Sequence, residues 1–219
     1  MVQKKKNTPS LPAAAIEPKR RGRPRAYQPE VALGKALELF RRDGFAGTSL
    51  DDLSAATGMN RPSLYGAFGD KRELYIKSYA RYRADARAAM IEKFSGELPI
   101  RKRLERIYGV ALDIYLNGDT GPRGCFTVMT AASEAVFDAE IRAMVLEGFS
   151  ELDKAFANCF RLAKEKGELP DAAEPAVLAQ LASATIHTVA IRARAGVPRK
   201  ELEAIVKGAI GLMVGAKTK

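Results

Sequence analysis

The chain has 219 residues, and 47% of them are hydrophobic, which fits a folded globular protein and excludes a disordered one. Its 36 lysines and arginines outnumber its 26 acidic residues, and a net charge of +10 favours polyanionic partners. No apolar run approaches the roughly 20 residues that cross a bilayer, and no secretory segment follows the first lysines. We therefore expect a cytoplasmic protein without a membrane partner.

The excess positive charge is concentrated at the N-terminus. Residues 1–26 contain eight lysines and arginines against one acid, a surplus of seven, whereas residues 27–219 contain 28 against 25, a surplus of three. The first segment also contains four prolines and shows neither helical nor strand periodicity. We interpret it as a flexible basic arm that ends in the sequence KRRGRPR at residues 19–25.

From Tyr27 onward the pattern predicts helices almost throughout and no sheet, so the expected fold class is all-α. The first helix should begin near Pro29, because a first-turn residue needs no amide hydrogen, and should end at Gly44. Its inward stripe consists of Leu33, Ala36, Leu37 and Phe40.

Two short helices joined by a tight turn are predicted within residues 48–68. The sequence Thr-Ser-Leu-Asp-Asp at residues 48–52 contains two overlapping capping boxes that can begin a helix. Gly58 ends this helix by permitting a left-handed backbone, and Asn60 caps the next one. The apolar residues that hold the two helices together are Leu53, Met59, Leu64 and Phe68.

This arrangement predicts a helix-turn-helix, in which the second helix enters a DNA major groove and the first crosses the backbone. The alternative is a pair of ordinary core helices. Since Leu64 and Phe68 face inward, their neighbours face outward, where arginine suits guanine and hydroxyl groups suit bases or phosphates. A lysine at the start of the following helix suits a phosphate. The expected DNA-binding residues of this region are Asn60, Arg61, Ser63, Tyr65, Gly66 and Lys71.

A long helix is expected from about Asp70 into the nineties. Further helices are expected over residues 100–117, 123–137, 139–166, 172–195 and 198–215. The last has one apolar stripe, whereas the helix over 172–195 is apolar on more than one face, as a helix buried both in its own core and against a partner would be. The alternative is a large monomeric core. One histidine, two widely spaced cysteines and no phosphate-binding loop or G-x-S-x-G motif predict no metal site, no cofactor and no enzyme.

Residues 21–79, with GFAGTSLDDLSAATGMNRPSLYGAFGDKRELY at their centre, resemble the DNA-binding domain of the TetR family of transcriptional repressors. The resemblance implies a three-helix N-terminal domain, a long fourth helix and an all-helical domain that binds a ligand. It also implies a homodimer formed by the last two helices. We therefore expect a basic arm at 1–26, a helix-turn-helix domain at 27–75, and a ligand-binding and dimerisation domain at 76–219.

By position, the resemblance assigns a phosphate contact to Thr48 and the usual DNA-facing pair to Tyr65 and Lys71. The chain departs from the family pattern at Asn60, where serine is usual, and in the Arg61-Pro62 and Gly66-Ala67 pairs. These departures leave the operator sequence open.

The resemblance also implies a cavity for a hydrophobic effector, drawn from a pool that includes Met90, Phe94, Phe137, Phe149 and Phe160. The candidates for contact with the effector are Tyr108, Tyr115, Cys125, Phe126, Met129, Phe156 and His187. Plain core packing is the alternative for each aromatic residue. Cys125, beside Arg123 at a helix start, is either a reactive thiol or an inert buried one, and His187 is either a hydrogen-bonded core residue or a ligand contact.

The Gly-Arg-Pro core of the arm resembles an AT-hook, whose arginines enter a narrow minor groove. We therefore expect Arg21, Arg23 and Arg25 to contact the minor groove or phosphates, the alternative being a disordered charged tail. The expected function is a repressor released from a palindromic operator by a small hydrophobic ligand or an electrophile. The alternatives are a DNA-architectural protein and an enzyme with a DNA-binding tag.

Replacing Arg21, Arg23 and Arg25 together by alanine should weaken DNA binding and flatten its dependence on salt, because fewer counterions are released when the arm binds. Titrations of labelled duplex at several salt concentrations measure both quantities. Unchanged affinity together with an unchanged salt slope would show that the arm does not touch DNA.

Overall fold

The computed structural model describes residues 28–118, 121 and 123–215, and these residues form helices joined by short loops without a strand. The all-α fold class expected from the sequence is confirmed. The basic arm, with Arg21, Arg23 and Arg25, lies outside the described residues. In chain order the helices are α1 (Pro29–Asp43), α2 (Leu50–Thr57), α3 (Arg61–Phe68), α4 (Lys71–Phe94), α5 (Ile100–Leu116), α6 (Phe126–Ala132), α7 (Glu134–Phe137), α8 (Ala139–Glu165), α9 (Pro175–Arg194) and α10 (Arg199–Val214).

Two hydrophobic cores organise these helices. The first joins α1 to α4 and is built around Phe40, Leu53, Leu64, Phe68 and Tyr75, all of them buried. The second lies between α5, α8, α9 and α10 and holds most of the remaining buried residues. The helix α4 belongs to both halves of the molecule, because its N-terminal turns pack in the first core and Met90 and Phe94 pack against the second.

The segment between α5 and α8 differs from the single helix expected over residues 123–137. Residues 123–125 are not helical: the amides of Arg123 and Gly124 both donate to the carbonyl of Tyr115 at 3.0 Å, and Gly124 has a φ of +64°. Helix α6 therefore begins only at Phe126, and Ser133, whose hydroxyl donates to the carbonyl of Met129 at 2.9 Å, separates it from α7.

Phe126 connects the first core to α6. Its ring lies 5.3, 5.6 and 5.7 Å from the rings of Tyr75, Tyr79 and Tyr82 on α4, each time in an edge-to-face arrangement. Such pairs add to the stabilisation that burial of the ring already provides. Phe126 was expected to line an effector cavity, but its ring is fully buried in the first core and does not line the cavity.

Ion pairs reinforce the same junction. Arg72, in the first turn of α4, donates to Asp138 at 2.5 Å and to Glu140 at 2.7 Å, at the start of α8. The side-chain hydrogen bond from Arg72, supported by backbone amides at the helix start, lowers the pKa of Asp138 to about 2. Asp138 thus stays charged at any physiological pH and holds the two helix N-termini together.

Helix α9 is long and apolar enough to cross a membrane when judged by length and composition alone. In the fold, Ala182, Ile186, Val189 and Ala193 on one of its sides are buried in the second core. We therefore assign α9 to the core of a folded domain.

Replacing Phe126 by alanine should lower the free energy of unfolding by about 3–5 kcal/mol, the usual cost of deleting a buried phenylalanine side chain. Phe137 offers a matched control, because it has the same side chain on the adjacent helix but is 88% exposed. Phe137→Ala should change stability by no more than about 0.5 kcal/mol. Urea unfolding at one fixed protein concentration measures the free energy of unfolding of both variants. Equal losses would show that Phe126 does not stabilise the fold more than an exposed phenylalanine does.

Candidate nucleic-acid interface and effector cavity

Helices α2 and α3 form a helix-turn-helix whose ends are fixed by local hydrogen bonds. The Ser49 hydroxyl accepts from the amide of Asp52 at 3.1 Å, and the Asp52 carboxylate accepts from the amide of Ser49 at 2.8 Å, so the second of the two possible capping boxes forms. Gly58 ends α2 in the left-handed conformation, and the Asn60 side chain caps α3 by accepting from the amide of Ser63 at 2.9 Å. These bonds fix the direction in which α3 leaves the turn.

The outer face of α3 is the surface that a major groove would meet. Tyr65 is 47% exposed, and Arg61 and Gly66 are also exposed. A side chain added at Gly66 would meet no atom within 4 Å, so this glycine leaves open space on the outside of the helix. Ser63 is half-buried with its amide on the Asn60 cap. Arg61, Tyr65 and Gly66 therefore face solvent, and their contact with DNA stays a prediction.

Arg61 is held by an acid from the preceding helix. Its Nε donates to Asp51 Oδ1 at 3.1 Å, and its Nη2 donates to Oδ1 at 2.7 Å and to Oδ2 at 2.8 Å. The hydrogen bond and the charge of Asp51 raise the pKa of Arg61. The guanidinium is therefore oriented, although both side chains remain largely in contact with solvent.

Two of the expected phosphate contacts are engaged inside the protein. Thr48 is buried, and its hydroxyl donates to the carbonyl of Gly44 at 2.7 Å, so in this conformation it stabilises the turn before α2. The Lys71 ammonium lies 4.3 Å from the centre of the Phe45 ring. Lys71 nonetheless stands at the first position of α4, where free backbone amides also favour an anion.

A cavity of about 430 Å³ opens between α4, α5, α6, α8 and α9. Three of the seven expected effector contacts line it, namely Tyr115, Cys125 and His187. The rest of the lining includes Tyr82, Ala86, Met90, Phe94, Ile114, Phe149, Leu152 and Ile186, which makes the walls mainly apolar.

The other four expected contacts lie elsewhere. The Tyr108 hydroxyl donates to the carbonyl of Ala182 inside the second core, and Phe156 packs edge-to-face on Phe94 at 5.0 Å. Met129 is half-buried on α6 outside the lining, and Phe126 packs on α4. Tyr108, Phe126 and Phe156 are held in the cores by neighbours that are distant in the sequence.

Sequence analysis missed the contribution of the middle of α4. Tyr82, Ala86 and Met90 recur at four-residue intervals and therefore share one face of the helix, which lines the cavity. That periodicity was visible in the sequence, but only Met90 and Phe94 of α4 belonged to the pool expected to supply the cavity. The same face places Arg83 at the cavity, where it pairs with Glu147 at 2.8 Å and Glu151 at 3.1 Å.

Tyr82, Tyr115, Cys125 and His187 bring hydrogen-bonding groups to the more buried part of the lining. The Tyr82 hydroxyl donates to the Cys125 sulfur at 3.4 Å, and burial raises the pKa of both Tyr82 and Tyr115 well above the ordinary value. The His187 ring lies 4.9 Å from the ring of Phe149. Burial lowers the pKa of His187, against a smaller opposing effect of Asp153, so the ring is neutral at pH 7.

The single histidine allows this burial to be tested by NMR. In the folded protein the Hε1 resonance of His187 should titrate with a midpoint below the ordinary pKa of 6.5. Because the unfolded chain then binds the proton more readily, stability present above pH 6.5 should be lost as the pH falls below it. In urea the midpoint should return to about 6.5. A folded-state midpoint at or above this value would contradict the burial.

Comparison with known proteins identifies the class of molecule. Residues 32–77 match the family described as bacterial regulatory proteins, tetR family, and residues 101–208 match the tetracyclin repressor-like C-terminal domain. The HTH-type transcriptional repressor ComR of Escherichia coli (strain K12) is 29% identical over 186 residues, which cover 84% of this chain and 88% of that protein. The HTH-type regulator YezE of Bacillus subtilis (strain 168) is 27% identical over 148 residues, 68% of this chain and 76% of that protein.

A solved structure supports the same conclusion. A cysteine mutant of the TetR family regulator CifR, complexed with a 26-bp double-strand operator DNA, is 28% identical, with a TM-score of 0.75 over 86% of this chain and 98% of that chain. The two family domains together cover more than half of the sequence. The chain belongs to the TetR family of bacterial regulators and is a DNA-binding transcriptional regulator, not an enzyme.

Proposed function

We propose that the protein is a cytoplasmic homodimeric repressor that binds a palindromic operator and is released when a small hydrophobic molecule or an electrophile enters the cavity. The observation that carries the proposal is that one long helix, α4, packs against the capped helix-turn-helix through its first turns and lines an apolar cavity along its middle. DNA contact and ligand contact thus depend on the same helix, α4.

The proposed dimer uses a surface that we name the α9–α10 face. Along α9 the exposed apolar residues recur on one side, and Val177 and Leu181 are each 53% exposed. On α10, Leu212 is 90% exposed and stands beside small residues, which let two helices approach closely. The face consists of Val177, Leu181, Ala184, Ile191, Ala204, Gly208 and Leu212. Two-fold pairing through this face would present two copies of α3 to two half-sites.

The chemistry of the cavity favours an apolar effector. Its buried end contains aromatic and aliphatic side chains with two phenols, whereas Arg87 and Lys154 are exposed at its outer side. A molecule with a flat or flexible apolar body, and an acceptor group directed at the phenols, fits this distribution. It lowers operator affinity only if it binds better to the conformation that does not fit DNA.

The position of Cys125 favours an electrophile as the second kind of effector. The thiol lines the cavity and is half-buried, whereas Cys159 is fully buried in the second core. In an addition to an activated alkene, the Cys125 sulfur forms a bond to one alkene carbon and the proton of the thiol ends on the neighbouring carbon. The adduct would occupy the same space as a non-covalent effector.

Selection of bound sequences from random duplexes by the full-length protein tests DNA recognition. We expect one palindromic motif with half-sites separated by about one helical turn, because the dimer presents its two α3 helices to successive major grooves. No enrichment, or only A/T-rich sequences without symmetry, would indicate an architectural protein whose arm dominates binding.

A matched pair of α4 variants tests the cavity, with the apolar dye 1-N-phenylnaphthylamine as the probe and the selected operator as the reporter. Ala86 lines the cavity, whereas Ala89 on the same helix is exposed. We expect Ala86→Phe to abolish the dye's fluorescence enhancement and its effect on operator affinity, and Ala89→Phe to behave as the wild type. Equal dye binding by both variants would show that the effector site lies elsewhere.

N-ethylmaleimide tests the electrophile in the same assay. Peptide mass spectrometry should find labelling at Cys125 but not at Cys159, and labelling should weaken operator binding. Cys125→Ser should remove both effects and leave the response to the dye intact. Labelled protein that binds the operator unchanged would exclude Cys125 as a sensor.

A further inference from the structure

The Asp51–Arg61 pair joins the first turns of the two helices of the helix-turn-helix. Asp51 lies in the first turn of α2, directly before the Asp52 of the capping box, and Arg61 is the first residue of α3, directly after its Asn60 cap. Both anchoring points are therefore fixed by caps. Within residues 28–118, 121 and 123–215, Asp51 is the only side chain in hydrogen-bonding contact with the Arg61 guanidinium.

The geometry of the pair leaves one edge of the guanidinium unused. Asp51 occupies the side edge, formed by Nε and Nη2, in a forked arrangement. A guanidinium has five N–H donors, and the end edge, formed by Nη1 and the second hydrogen of Nη2, keeps its donors. Among the described residues, none forms a hydrogen bond with Nη1 of Arg61. Two parallel N–H donors match guanine O6 and N7, which is the commonest specific arginine contact in the major groove.

A carboxylate on this surface needs an explanation, because it faces a polyanion. Residues 27–75 contain six lysines and arginines against seven acids, so the domain has a net charge of −1. An unpaired Asp51, with a side chain that is 76% exposed, would repel nearby phosphates. Held against Arg61, its charge is compensated and its oxygens restrict a side chain that otherwise has many rotamers.

We infer that Asp51 is a positioning residue that orients Arg61 to read a guanine in each half-site of the operator. The inference rests on the proposed function, since it assigns the specificity of the same DNA-binding surface. Asp51 acts through Arg61 and touches no base itself. The pair therefore determines which base is preferred at one position more than it determines overall affinity for DNA.

The test is a double-mutant cycle with Asp51→Asn, Arg61→Lys and the double variant, all as full-length protein. Operator variants first identify the position at which Arg61→Lys abolishes the preference for guanine. The readout is then the dissociation constant for an operator with another base at this position, divided by that for the operator with guanine there. Asp51→Asn should reduce this ratio about tenfold, since a good bidentate contact contributes roughly 1–3 kcal/mol of discrimination and each 1.4 kcal/mol is tenfold. Its affinity for random duplex should be equal or higher, because one negative charge is removed.

Asp43→Asn is the control for charge. It also removes a carboxylate from an arginine pair in the same domain, with Arg42 at 2.6 Å, but it does not touch Arg61. We expect it to leave the guanine preference intact. A reduction of the preference equal to that of Asp51→Asn would overturn the inference, because the effect would then be one of net charge.

The remaining outcomes separate the inference from the function on which it rests. A wild-type protein without a palindromic motif contradicts the proposed function. A palindrome whose guanine preference survives Asp51→Asn contradicts the positioning role alone. If Asp51→Asn still alters base preference in the Arg61→Lys background, Asp51 reads a base directly, for example by accepting from cytosine N4, and the inference is overturned.

Discussion

The insertion of Phe126 among Tyr75, Tyr79 and Tyr82 is the contact on which the rest of the structure depends. It is a fully buried aromatic contact between α4 and α6, and Ala131 of α6 and Ile141 and Val145 of α8 extend the same core beside it. Phe126 directly follows Cys125, which lines the cavity, and Cys125 packs against both hydrophobic cores. A molecule that displaced Cys125 would therefore also displace the adjacent Phe126, which packs on α4. Close packing transmits even small displacements.

A polar contact fixes the other side of the same junction. From the end of α9, Arg194 donates to the carbonyls of Arg41 and Arg42 at 2.8 and 2.9 Å, and to the carbonyl of Arg123 at 3.1 Å. The last carbonyls of a helix lack intrahelical partners, so Arg194 completes the C-terminus of α1 from a distant helix. Gly124 lies against this contact, because a Cβ there would come within 2.8 Å of the Ala190 carbonyl. The loop before Cys125 thus links the cavity to α1 as well as to α4.

The sequence predicted the helix-turn-helix in detail because its determinants are local. The Ser49–Asp52 box, the left-handed Gly58 and the Asn60 cap each involve residues at most four positions apart. Phe126 could not be distinguished from a cavity residue, since its neighbours lie more than 40 positions away on α4. The same applies to the hydroxyl of Tyr108, which pairs with Ala182, and to the Asp51–Arg61 fork, which depends on how two helices cross. Local chemistry determined the elements, and tertiary contacts determined which side chains remained available to a ligand.

The distribution of charge suggests different contributions to DNA binding from the basic arm and from residues 27–75. The arm has a surplus of seven positive charges, whereas residues 27–75, with six basic and seven acidic residues, have a net charge of −1. Counterion release scales with the phosphates neutralised, so we expect the arm to supply most of the attraction that is independent of sequence. Acids within residues 27–75 have specific partners instead: Asp43 pairs with Arg42 and Asp51 with Arg61, while Asp52 and Asp70 cap helices. We therefore expect this domain to bind wrong sequences weakly and to discriminate between sequences through the few oriented donors of α3.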